Sequence, residues 1–331
     1  MNIHLKKIKT CDFKTLRFIF WISTFIIQVS LFGIQRSSEA MDIEGAHKSF
    51  GHAAHTPPQT QEEINAIVSA TALKVYSKIN QNWEYPATSD PMSTTSSFWE
   101  VTGIMRDTVV GSQGKKLGHA YTMVLKDPLV HLSKLDEAFV DLINKPAKAE
   151  CTIALSTVKI FCLREILGPE RFIHYATSFY SVMQAERWPM EDFFHELPFQ
   201  FIVPKAGPAQ PGSICYLTSV PSYFYFKPHG NAGGNNVVCT NPDRYIGFCS
   251  IYEAGAQDSD TIVSTDLQFF CDESDVENHL DEHKKKSEEF RQDKKSFAAE
   301  QKKAQEESYN FHQIFDLKAI NDFVSTGLIC T

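Results

Sequence analysis

Glu150-Cys151-Thr152 leads into IALSTVKIFCLREIL, a largely apolar stretch that ends at Gly168. A run of this length and character reads as a helix, and a largely apolar helix obliges the rest of the chain to supply a core around it. Gly168 stops it, and Pro169 opens a second helix through about Met183. The material for that core is present, because 43% of the 331 residues are hydrophobic and only 22% are charged. Such a composition excludes a disordered chain, and the length suits one large domain or two modest ones. A balance of 32 basic against 40 acidic residues argues against a dedicated nucleic-acid binder.

The start of the chain carries a basic excess, although the chain as a whole is acidic. Residues 1–40 hold six basic and two acidic residues, and Arg17 is followed by the apolar run FIFWISTFIIQVSLFGI, residues 18–34. Ser38-Glu39-Ala40 then offers small residues where a signal peptidase reads, so residues 1–40 are expected to be a signal peptide cut after Ala40. The alternative is a membrane anchor through residues 18–34, which reach the lower length limit of a span. Either reading makes the protein exported or held at a membrane. Beyond the leader come Cys151, Cys162, Cys215, Cys239, Cys249, Cys271 and Cys330. Seven is odd, so at least one thiol stays unpaired within a monomer in an oxidising compartment. No pair has C-x-x-C spacing, and neither a zinc site nor a cofactor is expected.

Residues 41–59 read as a linker. Thr60 and Glu63 form a capping box for an amphipathic helix over residues 61–79. Residues 81–95 read as loop, residues 98–102 and 119–125 as strands, and Leu135–Ile143 as a helix capped by Ser133. Past a proline-rich loop, strands are expected over 213–220, 236–240, 245–252 and 261–270. Residues 272–307 hold twelve acidic and eight basic residues and predict a solvated, ion-paired helix, and the tail over 311–324 regains helical periodicity. GNAGGNN lacks the Lys-Ser/Thr of a phosphate loop, and Asp258-Ser259-Asp260 lacks the glycine and spacing of an EF-hand.

Cys151 is the candidate nucleophile. Unpaired N–H groups at a helix start favour thiolate, which suits attack on a carbonyl. The opposing reading of the same residue is a small buried hydrophobe. A thiolate nucleophile wants a histidine later in the chain, and His229, in Phe226-Lys227-Pro228-His229-Gly230, lies in the right interval.

The stretch ECTIALSTVKIFCLREILGPERF resembles the small bacterial spore-coat protein-glutamine γ-glutamyltransferases, in which a Glu-Cys pair opens an apolar helix. FWEVTG, HAYTMVLKDPL, PGSICYL and GNNVVCTNPDRYIGF are similar to that family's flanking strands, so the resemblance spans about residues 61–255. It implies an α+β, papain-like core over residues 60–271, with the nucleophile cysteine at a helix N-terminus on an antiparallel sheet. Residues 272–331 would add a charged helix and tail. It also implies calcium-independent acyl transfer from a glutamine carboxamide to a lysine amine, on protein substrates exposing both side chains. Cys151 matches the nucleophile and Glu150 its neighbouring acid. The family's glutamate and histidine positions read Asn235 and Phe248, which leaves His229 as the nominated base. A non-catalytic binding module and a cell-wall amidase or peptidase are the alternative functions on the same fold.

Overall fold

Thr60 opens the first helix as the capping box requires: its hydroxyl accepts from the Glu63 N–H and the Glu63 carboxylate accepts from the Thr60 N–H. In the computed structural model the described residues are 56–85, 91–109, 115–187, 190–218, 234–259, 261–262, 265, 299 and 311–327. The expected leader, His229 and all but one residue of the charged stretch 272–307 lie outside them. Among the described residues no helix is long and apolar enough to cross a membrane.

Helix α1 (Gln61–Asn82) runs into two short strands, β1 (Trp83–Glu84) and β2 (Ser93–Thr94). Strands β3 (Trp99–Val109) and β4 (Lys115–Leu125) form an antiparallel hairpin in which Trp99 faces Leu125. One turn of helix, α2 (Pro128–His131), precedes α3 (Leu135–Asn144) and the short β5 (Ala147–Lys148). Helix α4 (Cys151–Leu167) and α5 (Pro169–Ala185) follow, separated by Gly168 at φ 80°, a left-handed value that glycine adopts without a Cβ clash. After the single turn α6 (Phe193–Glu196) come β6 (Ile202–Ala206), β7 (Ile214–Thr218), β8 (Gly234–Asn241), β9 (Arg244–Gly247), β10 (Phe311–Phe315) and α7 (Leu317–Thr326).

The largest sheet has the order β6-β10-β7-β8-β9 and is antiparallel at every pairing. A second sheet orders β1-β5-β2. Helix α4 is the hub of the core: Ile153, Ala154, Val158, Ile160, Cys162, Leu163, Ile166 and Leu167 are all buried, and it packs against α1, α5 and β8. Its last turn is tied to α3 by Arg164, whose guanidinium makes a two-pronged contact with the Asp136 carboxylate, Nη2 donating at 2.9 Å. The architecture is α+β.

Several sequence expectations change here. The loop expected over residues 81–95 contains β1 and β2, because β5 supplies both with a backbone partner. Ser133 does not cap α3; Lys134 stands at that N-cap with no side-chain bond. The strand expected over 245–252 ends at Gly247 and gives way to a 3-10 turn, Ser250–Tyr252. Where a strand was expected from Thr261, the described residues are helical, started by Asp258 accepting from the Thr261 N–H at 2.7 Å. Finally, the tail begins as a strand. Phe311–Phe315 inserts between β6 and β7, and only Leu317–Thr326 is helix, with Asp316 accepting from the Ala319 N–H.

Candidate functional site

Cys151 is the first residue of α4, with Glu150 at the N-cap, and it is half-buried. Its Sγ accepts a hydrogen bond from Asn236 Nδ2 at 3.2 Å. Asn236 lies on β8 directly across from Tyr216 on β7, while Asn235 pairs with Leu217. Tyr76, fully buried on α1, donates its hydroxyl to the Asn236 carbonyl at 3.5 Å. One helix start, one strand and a second helix therefore meet at the sulfur. Tyr216 adds an aromatic flank that is 49% exposed.

The electrostatics differ from the helix-start expectation. Burial pushes the Cys151 thiol up from its ordinary value, and the Glu150 carboxylate adds to that rise. The Asn236 amide and the backbone N–H of Cys151 pull in the other direction and are outweighed. Cys151 is consequently a thiol at neutral pH, which corrects the expectation of a helix-stabilised thiolate. Glu150 is itself raised by burial, against the Thr152 hydroxyl that donates to Oε2 at 3.5 Å. Its carboxylate does not cap the helix. The phenols of Tyr76 and Tyr216 are raised too, first by burial and then by the neighbouring sulfur of Cys151.

The other matched positions behave differently. Phe248 is buried, with its ring 6.1 Å from those of Trp83, edge-on, and Tyr85, tilted. It fills a hydrophobic corner and has no proton to exchange. His229 lies outside the described residues. His174 is exposed on α5, and His195 is bonded to Ser156. Cys162 is buried, its thiol raised well above the ordinary range by burial, and it donates to the Val68 carbonyl at 3.8 Å. Burial likewise pushes Cys215 up to about 12 and Cys239 up to about 11. Among the described residues no group of three or more His, Cys, Asp or Glu side chains is placed to hold a metal ion.

Sequence reasoning reached Cys151 and missed Asn236, Tyr76 and Tyr216. The available signal was strand alternation. The resemblance places the family's glutamate on Asn235, but its neighbour Asn236 is the one that meets the sulfur, and adjacent residues of a strand point to opposite faces.

Gly234 keeps Tyr216 in place. A Cβ there would lie 2.6 Å from both the Leu217 carbonyl and the Tyr216 ring. Gly234→Ala should therefore cost about 1–3 kcal/mol by overpacking and shift the rate at which Cys151 is alkylated. Chemical denaturation and timed alkylation check this, and an unchanged midpoint would contradict the contact.

No family model matches the chain, and no curated protein matches it. Among solved structures, a transglutaminase from Geobacillus stearothermophilus (without its C-terminal extension) is similar at a TM-score of 0.36 and 12% identity, over 63% of this chain and 84% of that one.

Proposed function

We propose that the surface at Cys151 binds an amide-bearing protein side chain beside a protonated thiol. The observation that carries this reading is the hydrogen bond from the Asn236 carboxamide to Sγ, made to a thiol that burial holds up. A carboxamide can donate to sulfur and can pair with another amide, but it cannot take up the thiol proton. A glutamine side chain meets Asn236 with complementary donors and acceptors, while Tyr216 offers its flank to the aliphatic part.

Acyl transfer is the second reading, favoured by the place of Cys151 at the head of a 17-residue helix. In that reaction Sγ adds to the glutamine carboxamide carbon, ammonia leaves, and a lysine amine then takes the acyl group and frees the thiol. Glu150 would be the neighbouring acid and His229 the base. The leader fits either reading, since export would bring the site to extracellular proteins. N-terminal sequencing of protein recovered outside the cytoplasm should then begin after Ala40, and a chain still starting at Met1 counts against cleavage.

A glutamine-bearing peptide distinguishes the two. Binding predicts saturable anisotropy, weakened by Asn236→Ala, with no ammonia released. Transfer predicts calcium-independent ammonia release and labelled-amine incorporation, both abolished by Cys151→Ala, and a further loss of about 10²–10⁴-fold in His229→Ala if that residue is the base. Neither binding nor release would remove both readings.

A further inference from the structure

Five residues beyond Cys151, helix α4 makes a second polar contact with the fold. Ser156 Oγ lies 2.7 Å from His195 Nδ1. The other ring nitrogen, Nε2, faces the Tyr121 backbone carbonyl at 3.4 Å. A carbonyl only accepts, so Nε2 carries the proton and Nδ1 presents its lone pair to the Ser156 hydroxyl. That tautomer lets an imidazole take a proton from a hydroxyl. Both side chains are half-buried and so remain reachable.

One turn along, Lys159 occupies the same face of α4, where residues three apart sit about 5–6 Å from each other. Its Nζ donates to Gln313 Oε1 of β10 at 3.0 Å. Burial pushes the Lys159 ammonium down to about 8, opposed by the charge of Glu196, the residue next to His195. The seam between α4, α6 and β10 thus holds a hydroxyl, an imidazole fixed in the accepting tautomer and an amine that is still cationic at neutral pH.

We propose that Ser156 and His195 form a nucleophile–base pair that hydrolyses small acyl esters, with Lys159, one turn further along α4, as the cation for the developing oxyanion. Ser156 Oγ bonds to the ester carbonyl carbon as its proton passes to His195 Nδ1. The ester C–O bond breaks, and the leaving alkoxide takes that proton. Water then attacks the acyl-serine, giving its proton to Nδ1, and the acyl carbon releases Oγ, which is reprotonated. The products are an alcohol and a carboxylic acid. This activity is independent of the Cys151 reading, since it uses neither the thiol nor Asn236.

Treating the full chain with a fluorophosphonate probe and mapping the labelled peptide tests the pair. An adduct on Ser156 is expected in wild type and in Cys151→Ala alike. p-Nitrophenyl acetate hydrolysis measured in the Cys151→Ala background, where that thiol cannot contribute, should fall about 10²-fold or more in His195→Gln, with thermal denaturation confirming that the variant folds. Absence of an adduct on Ser156 in the intact wild-type chain overturns the proposal whatever the variants do, and so does equal labelling in a folded His195→Gln. Failure here leaves the peptide-binding result at Cys151 untouched, and the converse holds.

Discussion

Trp99→Ala is expected to lower stability by about 3–5 kcal/mol, the cost of emptying a large aromatic site in a close-packed core. Trp99 is fully buried, with its ring 5.0 Å from Phe139 and 5.4 Å, edge-on, from Phe194. Phe139 in turn touches Phe161 of α4 and Phe172 of α5. The indole therefore joins the β3–β4 hairpin to the helices, and its loss would be felt in all of them. It also makes a directed bond, Nε1 donating to the Ala138 carbonyl at 2.9 Å. Trp99→Phe keeps part of the ring packing and loses only the indole's bond to a carbonyl that still accepts within α3, so it should cost less, about 1–3 kcal/mol. Urea denaturation of the three proteins measures both differences. A loss below about 1 kcal/mol for Trp99→Ala would mean that the hairpin does not share the core.

The parts of this fold that could be read from the chain are those decided locally. Thr60 and Glu63 set their own capping box, and Gly168 followed by Pro169 punctuates two helices, because the physics involved spans three or four residues. The misreadings share the opposite character. Phe-His-Gln-Ile-Phe at 311–315 fits a strand as readily as the start of an amphipathic helix. It is a strand because β6 and β7, about a hundred residues upstream, offer it backbone partners on both sides. Trp83–Glu84 and Ser93–Thr94 are strands for the same reason, since two-residue segments have no periodicity and exist only through β5. Ser133 looked like a cap by residue type, yet the chain enters α3 from a 3-10 turn, Leu132–Lys134, and the cap position falls one residue later.

The site divides in the same way. Cys151 was legible because a helix start is a local event, whereas its state is not. The thiol is raised by the burial that α1 and β8 impose, a tertiary effect that outweighs the backbone N–H groups. Phe248 marks the same limit. Its identity already showed that it could not act as a base. Only the packing on Trp83 and Tyr85 shows what it does instead.

Asn236→His should convert Cys151 into a reactive thiol. In the wild type burial raises the thiol above its ordinary value, so little of it is thiolate at pH 7 and alkylation should be slower than for a small free thiol. The residue at 236 is the one whose side chain reaches Sγ, at 3.2 Å, so a histidine there brings an imidazole to the sulfur. Thiolate–imidazolium pairing holds cysteine pKa values at about 3.5–7.5 in reactive sites. A fall only to about 7 would make roughly half the cysteine thiolate at pH 7, a gain of more than about tenfold over even an unperturbed thiol. The alkylation rate gains somewhat less, because nucleophilicity declines with pKa. Asn236→Ala should move in the other direction, since it removes a donor that now lowers the thiol pKa. The pH–rate profile for iodoacetamide, read by mapping the Cys151 peptide, separates the three proteins. Its midpoint should lie above that of a free thiol in wild type, higher still in Asn236→Ala, and near neutrality in Asn236→His. Asn235→His is the internal control, because its neighbour occupies the contact and it should leave the profile near that of the wild type. If the histidine at 235 activates Cys151 and the one at 236 does not, the strand register at the site is shifted by one residue and Asn236 loses its place beside the sulfur.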